Sequence, residues 1–229
     1  MNTLVIYHHL GLGDHIVCNG LVRQIVKRNQ YKNYVVLTKL NNAVSVSFMY
    51  RDINNLSIVE TTNDEKATAA INKLNDFDLH CVGFDKLDNN PNFKSFDVLF
   101  YETQGLDFES RWTSFNVVRD SKRETKLFND LNIKKQQYVF VHDDHRFFID
   151  IKKINSHLKI VKPVVGVTNN IFDYCSVIEN AAEVHVIDSS FQLMIDSLNL
   201  NPKVFVHRYA RPTTSIHHPI YKFANTILN

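Results

Sequence analysis

A short turn near the start of the chain carries residue types that suit ligand binding and proton transfer. The segment "LVIYHHLGLGDHIVCNGLVRQI", residues 4 to 25, places Gly11 and Gly13 just before Asp14 and His15, although the whole chain has only 6 glycines in 229 residues. Glycine lets backbone N–H groups approach a ligand closely at a helix start. An aspartate here also suits a plain helix cap, and the positive helix end is expected to lower its pKa.

A dinucleotide-binding turn would have a different pattern. The G-x-G-x-x-G signature requires glycine where this chain has Ile16. The carboxylate of Asp14 would also lie beside the pyrophosphate. NAD and FAD are therefore disfavoured, and the sequence predicts no cofactor.

Polar residues also follow apolar, strand-like runs in the second half of the chain. The carboxyl ends of parallel strands share one sheet edge, where ligands bind, and hydroxyl and N–H groups at a helix start suit a phosphate. The candidate phosphate-binding or sugar-binding residues are His142, Arg146, Thr168, Asn170, Asp188, Ser189, Ser190, His207 and Arg208, with Glu179 as a candidate for ribose hydroxyls.

Each of these candidates has an ordinary structural alternative. Ser189, Ser190, Thr168 and Asn170 are typical helix caps. The "HDDHR" segment, residues 142 to 146, has ligand types that can bind a metal, but a phosphate or sugar contact is favoured there and no metal is predicted. Residues 217 and 218, both histidines, resemble a tail.

The elements that position these residues alternate between strand and helix. The predicted strands are "TLVIYH", "YVVLTKL", "LSIVETT" and "DLHCVG" in the first half, and "QYVFVHDD", "LKIVKP", "EVHVID" and "KVFVHRY" in the second. The helix after the first turn is predicted over 15–29, residues 84–97 as a loop, and "PVVGV" as strand-like. This alternation indicates an α/β protein of two small doubly wound, Rossmann-like domains, 1–125 and 126–229.

Composition narrows the function classes further. The net charge of +2 is too small for a general nucleic-acid binder, so no nucleic-acid partner is predicted. No apolar run reaches the length of a membrane span, and the first residues do not resemble a signal peptide. The 3 cysteines form no CxxC pair. A cytoplasmic protein is expected, with its oligomeric state left open.

The residues Gly11-Leu12-Gly13-Asp14, with Gly20, Leu21 and Arg23 after them, resemble the N-terminal signature of the lipopolysaccharide heptosyltransferase family. That resemblance implies a GT-B fold, with two Rossmann-like domains facing each other across a cleft. It also implies an acceptor side in the first domain, a nucleotide-sugar side in the second, and Asp14 as catalytic base. His15 and Arg111 are then the candidate acceptor contacts, although Arg111 and its neighbour Trp112 equally suit core packing.

A second segment, "EVHVIDSSFQLMIDSL", is similar to the D-S-G segment with which that family binds the donor diphosphate at a helix start. This chain has Ser190 in place of the glycine and Leu193 in place of a histidine. "FYETQGLDFESRW" and "VHRYARP" resemble uncharacterised glycosyltransferase-like proteins of phages, large viruses and marine bacteria.

Together the resemblances imply an inverting, metal-independent glycosyltransferase with a nucleotide-diphosphate sugar as donor and a carbohydrate acceptor. Two alternatives stay open. One is a nucleotide-sugar epimerase or hydrolase on the same fold, which would consume donor without acceptor. The other is a non-catalytic nucleotide- or carbohydrate-binding module.

Overall fold

The computed structural model describes residues 2–71, 76–83, 95–154, 157–210, 218–223 and 225–229. The chain divides into two units, Met1–Val118 and Arg119–Asn229. Each unit contains one parallel sheet whose strands alternate with helices, so the predicted α/β class is confirmed. The boundary predicted after residue 125 falls inside a helix of the second unit. That helix starts at Ser121, because the Asp120 side chain accepts hydrogen bonds from the N–H groups of Lys122 and Arg123.

The first unit contains a four-stranded parallel sheet in the order β3-β2-β1-β4. Its strands are β1 (Thr3–Tyr7), β2 (Asn33–Lys39), β3 (Leu56–Thr61) and β4 (Phe77–Cys81). One face of this sheet forms a buried cluster that includes Val5, Val35 and Leu37. The strand order reverses between β1 and β4, which makes the carboxyl ends of these two strands the expected ligand crevice of the unit.

The helices of the first unit begin and end in places that periodicity alone does not show. They are α1 (Leu12–Val17), α2 (Asn19–Arg28), α3 (Ala43–Met49), α4 (Asp64–Ile71), α5 (Phe96–Glu102) and α6 (Ser110–Thr113). The single helix predicted over 15–29 is wrong, because the helix starts at Leu12 and is interrupted at Cys18. Most of the predicted loop over 84–97 lies outside the described residues, and its last two residues belong to α5.

The second unit contains a five-stranded parallel sheet in the order β6-β5-β7-β8-β9. Its strands are β5 (Tyr138–His142), β6 (Lys159–Val161), β7 (Glu183–Val186), β8 (Val204–His207) and β9 (Thr226–Leu228). The last of these was not predicted from the sequence. The strand order reverses between β5 and β7, so the crevice of this unit is expected at the carboxyl ends of those strands.

The helices of the second unit are α7 (Ser121–Asp130), α8 (Cys175–Glu179) and α9 (Ser190–Ser197), and an ion pair joins α7 to the 3-10 turn before α8. Arg123 of α7 bonds to the buried Asp173, with an N–O distance of 2.8 Å. The strand-like prediction for "PVVGV" is wrong. These residues form an exposed turn in which Gly166 has φ +86°, a conformation that favours glycine.

Candidate functional site

Both glycine- and serine-rich turns that the sequence singles out lie at the strand-order reversals. The segment from His8 to Asp14 follows β1, and Gly83 follows the neighbouring strand β4. In the second unit, His142 ends β5 and Ser189 follows β7, its neighbour in the sheet. Each unit therefore has polar and ionisable side chains at the position where open α/β sheets bind ligands.

At the strand-order reversal of the first unit, the Asp14 carboxylate lies against Gly11 at the start of α1. Gly11 is the N-cap of α1, with φ −69° and ψ 145°. Asp14 is the third residue of α1, and its carboxylate accepts hydrogen bonds from the backbone N–H groups of Gly11 and of Asp14 itself. A Cβ atom on Gly11 would lie 2.5 Å from Asp14 Oδ2. Asp14 is thus not the N-cap residue, and Gly11 leaves the room its carboxylate needs.

The environment of Asp14 favours a basic carboxylate. Burial raises its pKa above the ordinary aspartate value, and this effect outweighs the opposing influences of His9, the two N–H groups and Lys39. The expectation that the helix start lowers this pKa is therefore wrong, because desolvation disfavours the charged form more strongly than the helix end favours it. A raised pKa makes the carboxylate a better general base.

The histidines around Asp14 differ in their access to the crevice. His15 is 0% exposed, and among the residues that the structure describes neither of its ring nitrogens has a hydrogen-bond partner. Its ring packs against that of His8 at 4.5 Å, so the predicted acceptor contact by His15 would require α1 to move. His9 is only partly buried and lies with Nε2 3.5 Å from the Gly83 carbonyl oxygen. The sequence interpretation did not assign Lys39 to this site.

Arg111, the other predicted acceptor contact, lies in the core of the first unit. Its side chain is 0% exposed and forms an ion pair with the buried Asp97. The guanidinium also lies 4.9 Å from the ring centre of Trp112. An acceptor contact by Arg111 would require this buried ion pair to open, which matches the core-packing alternative.

In the second crevice, a hydrogen bond joins the two strands at the reversal point. Ser189 Oγ lies 3.1 Å from His142 Nδ1. Ser189 is the N-cap of α9 in an extended conformation, yet its side chain makes no hydrogen bond to that helix. The capping interpretation of the Ser189 hydroxyl is therefore wrong, and the hydroxyl faces the end of β5 instead.

His142 is held as a neutral ring. Burial lowers its pKa to about 4, although Asp143 and Asp144 act in the opposite direction. Its ring packs on Phe191, with 4.3 Å between ring centres. At neutral pH the imidazole is uncharged, so it interacts with Ser189 and with any ligand through hydrogen bonds and not through charge.

The carboxylate of Asp188 is bound by three side chains. Arg208 Nε lies 3.2 Å from Oδ2, His218 Nδ1 lies 2.8 Å from the same oxygen, and the Tyr221 hydroxyl donates to Oδ1. Asp188 itself is only 5% exposed. The interpretation of residue 218 as tail is wrong, because His218 packs at the start of α9.

Four further candidates are occupied by contacts within the second unit. Thr168 Oγ1 and Asn170 Nδ2 both bond to Asp173, and Asn170 Oδ1 caps the following 3-10 helix. Glu179 pairs with Arg119 at 2.6 Å. Arg146 is exposed and lies 3.4 Å from Asp144. These four side chains stabilise turns and helix packing.

His207 belongs to a buried chain of hydrogen bonds. It is 0% exposed, its Nε2 lies 2.8 Å from His185 Nδ1, and its Nδ1 lies 3.0 Å from the Tyr209 hydroxyl. Burial lowers the pKa of His185, whose Nε2 lies 3.3 Å from Glu183. A diphosphate contact by His207 would need this chain to break.

In the described ranges of the chain, no group of three or more His, Cys, Asp or Glu side chains is arranged to hold a metal ion. Within the same ranges, no helix combines the length and apolar character that crossing a bilayer requires.

The fold is one that solved glycosyltransferases share. No protein-family model matches the sequence, and no curated protein matches it. By structure, the chain is similar to a glycosyl transferase family 9 protein from Veillonella parvula, with a TM-score of 0.64 and 8% identity over 99% of this chain and 85% of that one. It is also similar to the E. coli heptosyltransferase WaaC with ADP-2-deoxy-2-fluoro heptose, with a TM-score of 0.50 and 11% identity over 99% and 92% of the two chains.

A third similar structure is the iron-containing dodecameric glycosyltransferase TibC from enterotoxigenic E. coli. Its TM-score is 0.51 and its identity 10%, over 95% of this chain and 63% of TibC. At such identities the similarity concerns the fold. It agrees with the parallel α/β architecture that the heptosyltransferase-like segments implied.

Proposed function

We propose that the protein is a glycosyltransferase that moves a sugar from a nucleotide-diphosphate donor to a hydroxyl group of a carbohydrate acceptor, with inversion at the anomeric carbon. The observation that carries the proposal is the Asp14 carboxylate. It has a raised pKa and lies at the strand-order reversal of a fold shared with glycosyltransferases. No bound metal or cofactor is part of the proposal.

In the proposed reaction, Asp14 acts as general base on the acceptor. The acceptor oxygen forms a bond to the anomeric carbon while the bond from that carbon to the donor phosphate oxygen breaks. The hydroxyl proton passes to Asp14 as it becomes acidic in the transition state. The carboxylate lies against Gly11 at the start of α1 and interacts with the backbone N–H groups of Gly11 and Asp14, so positioning contributes along with basicity.

In the second unit, we assign the donor diphosphate to the start of α9. Backbone N–H groups at a helix start stabilise a phosphate and the charge that develops on the leaving group. Support comes from Ser189, whose hydroxyl leaves the helix start uncapped. Further support comes from the neutral His142 ring beside it. A heptosyltransferase of the same fold has been solved with an ADP-sugar.

Donor binding is tested by a thermal-shift screen of UDP-, GDP-, ADP- and CMP-sugars. A ligand at a hundred times its Kd should add about 2.7 kcal/mol to the free energy of unfolding. For the sugar nucleotide that binds, we expect the double variant Ser189→Ala, Ser190→Ala to weaken binding while its unliganded melting temperature stays close to wild type. Calorimetry measures the affinity.

The matched control is Ser121→Ala, at the exposed first residue of α7 in the same unit. This variant should bind donor as the wild type does. Equal affinity of the Ser189, Ser190 double variant and the wild type would show that the phosphate site is misplaced. Absence of a shift with every sugar nucleotide would favour a binding module of another kind.

A further inference from the structure

We propose that Asp188 does not bind the donor diphosphate but positions Arg208 as the cation that binds it, and that the C-terminal segment 218–223 is part of this assembly. The inference rests on the proposed nucleotide-sugar site. It assigns His218 and Tyr221 to that site as positioning residues, and it changes the role of Asp188 from phosphate contact to support.

The sheet register brings Asp188 and Arg208 to the same level. Strands β7 and β8 run parallel, with Val186 opposite Val206. Asp188 and Arg208 each lie two residues beyond this pair, at the carboxyl ends of their strands. Ser189 follows Asp188 directly and starts α9, so the Arg208 guanidinium lies at the level of the helix start, where the diphosphate is proposed to bind.

Electrostatics argue against direct contact between Asp188 and a phosphate. A buried carboxylate next to a diphosphate would repel it strongly in this partly desolvated place. Arg208, His218 and Tyr221 instead direct their donors to Asp188. A carboxylate bound in this way suits the task of holding a cation in a fixed orientation.

The guanidinium of Arg208 still has donor capacity for an anion. Its Nε bonds to Asp188, and its Nη2 lies 3.3 Å from the Pro219 carbonyl oxygen. Its Nη1 has no hydrogen bond within the part of the chain that the structure describes, and the side chain is 19% exposed. The planar, rigid fork of arginine suits phosphate oxygens, and an arginine fixed on two sides binds them with less loss of conformational freedom.

The C-terminal segment is fixed at both ends of α9. Near the start of the helix, His218 and Tyr221 bond to Asp188. Farther along the helix, the buried Asp196 accepts hydrogen bonds from the backbone N–H groups of residues 222 and 223, at 2.9 and 3.1 Å. Asp196 therefore anchors the same segment without touching Arg208, which provides a matched control for Asp188.

The test is a double-mutant cycle on diphosphate affinity. The probes are ADP, GDP, UDP and CDP, and calorimetry measures the Kd of the one that binds wild type most tightly. We expect Arg208→Gln and Asp188→Asn each to weaken binding about tenfold or more, as for loss of a charged hydrogen bond. We expect the double variant to bind no more weakly than Arg208→Gln alone, because Asp188 acts through Arg208.

Salt dependence separates a charge effect from a merely structural one. A cation that contacts the diphosphate makes the Kd rise with ionic strength. This dependence should be smaller in both Arg208→Gln and Asp188→Asn than in wild type. Losses that add in the double variant, or an Asp188→Asn variant with wild-type affinity and salt dependence, would overturn the inference.

Two further variants keep the test decisive if Asp188→Asn folds poorly. Tyr221→Phe removes the hydroxyl that donates to Asp188 and keeps the ring, and its cycle with Arg208→Gln should show the same lack of additivity. Asp196→Asn should lower the melting temperature with less than about a twofold change in Kd. An affinity loss in Asp196→Asn equal to that in Asp188→Asn would assign the effect to the segment as a whole and reject positioning of Arg208.

The outcomes distinguish this inference from the proposed function. If wild type binds no nucleoside diphosphate, the proposed donor site is wrong, and the positioning role of Asp188 is rejected with it. If wild type binds and the Ser189, Ser190 double variant loses affinity while Asp188→Asn does not, the donor site stands and only the role of Asp188 is rejected.

Discussion

Asp14 shows how one side chain can be favourable for chemistry and unfavourable for stability. Its carboxyl group is largely removed from water, and this desolvation raises its pKa. The charged form that a general base requires is therefore the form that the folded protein stabilises less. Gly11 offsets part of this cost, since its N–H donates to the carboxylate and its missing side chain leaves room for Oδ2.

We expect Asp14→Asn to abolish most activity without loss of stability. An asparagine oxygen can still accept the Gly11 N–H, but it cannot take the acceptor proton. Turnover should fall by about 10² to 10⁴, the range for a lost general base, while donor affinity is unchanged. Steady-state kinetics with the accepted donor and acceptor measures this loss.

The stability of the same variant has a defined sign with pH. A folded-state pKa above the unfolded value near 3.9 means that the stabilising contribution of Asp14 is present at low pH and is lost as pH rises through the folded pKa. Asp14→Asn cannot ionise, so its melting temperature at pH 7 should equal or exceed that of wild type. Near-normal turnover in this variant would reduce Asp14 to a helix-start residue.

The packing of α2 against α6 requires a glycine at position 20, inside α2. A Cβ atom there would lie 2.2 Å from the backbone carbonyl oxygen of Ser110 and 3.2 Å from the Tyr101 hydroxyl. That hydroxyl donates to the Val17 carbonyl at 2.7 Å and accepts from the Leu21 N–H at 3.1 Å, which joins α1 to α2. The glycine therefore serves helix packing and not ligand binding.

We expect Gly20→Ala to destabilise the protein by about 1–3 kcal/mol, because the backbone of α6 must shift to make room. This cost should exceed the gain of about 1 kcal/mol in helix propensity. Chemical denaturation measures the net change in the free energy of unfolding, with Lys27→Ala at an exposed position of the same helix as the control. A Gly20→Ala variant more stable than wild type would show that α2 and α6 can separate without cost.

The sequence predicted the elements with strong apolar patterns and missed those set by local geometry. Strands β1, β2 and β7 follow from short apolar runs that are buried on both faces. The break at Cys18 leaves no mark in a helical period, since buried residues continue on both sides of it. Strand β9 has only 3 residues, none of them buried, so no buried apolar pattern marks it in the sequence.

For the candidate site, too, the sequence predicted segments of the chain and not the contacts between their side chains. Polar residues after apolar runs predicted which segments follow the strands at the order reversals, because parallel strands share one carboxyl edge. They did not predict which side chains meet there. Asp188 and Tyr221 are 33 residues apart along the chain, and burial removes His15 and Arg111 from the crevice although both lie in suggestive segments.

The stability of the folded protein depends on pH through its buried, neutral histidines. Burial lowers the pKa of His8 and of His142 from 6.5 to about 4, and it lowers the pKa of His15 and His185 as well. In the unfolded chain these rings bind protons near pH 6.5, but the folded protein resists protonating them. Stability is thus present above pH 6.5 and is lost as pH falls toward 4, by about 3 kcal/mol for a group shifted as far as His8.

His15 allows this pH dependence to be tested without removing a hydrogen bond to any described residue, because its ring nitrogens have no partner within that part of the chain. We expect His15→Phe to leave the melting temperature at pH 7.5 unchanged or higher, and to make its decrease between about pH 6.5 and 4 smaller than in wild type. The exposed His157→Gln serves as the control. The contribution of Asp14 to stability decreases as pH rises, whereas that of the histidines increases. The comparison is therefore repeated in an Asp14→Asn background, where the pH dependence from the histidines should appear without that of Asp14. An unchanged slope in His15→Phe would mean that the His15 ring binds its proton equally well in the folded and unfolded protein, and would reject a neutral His15 beside His8.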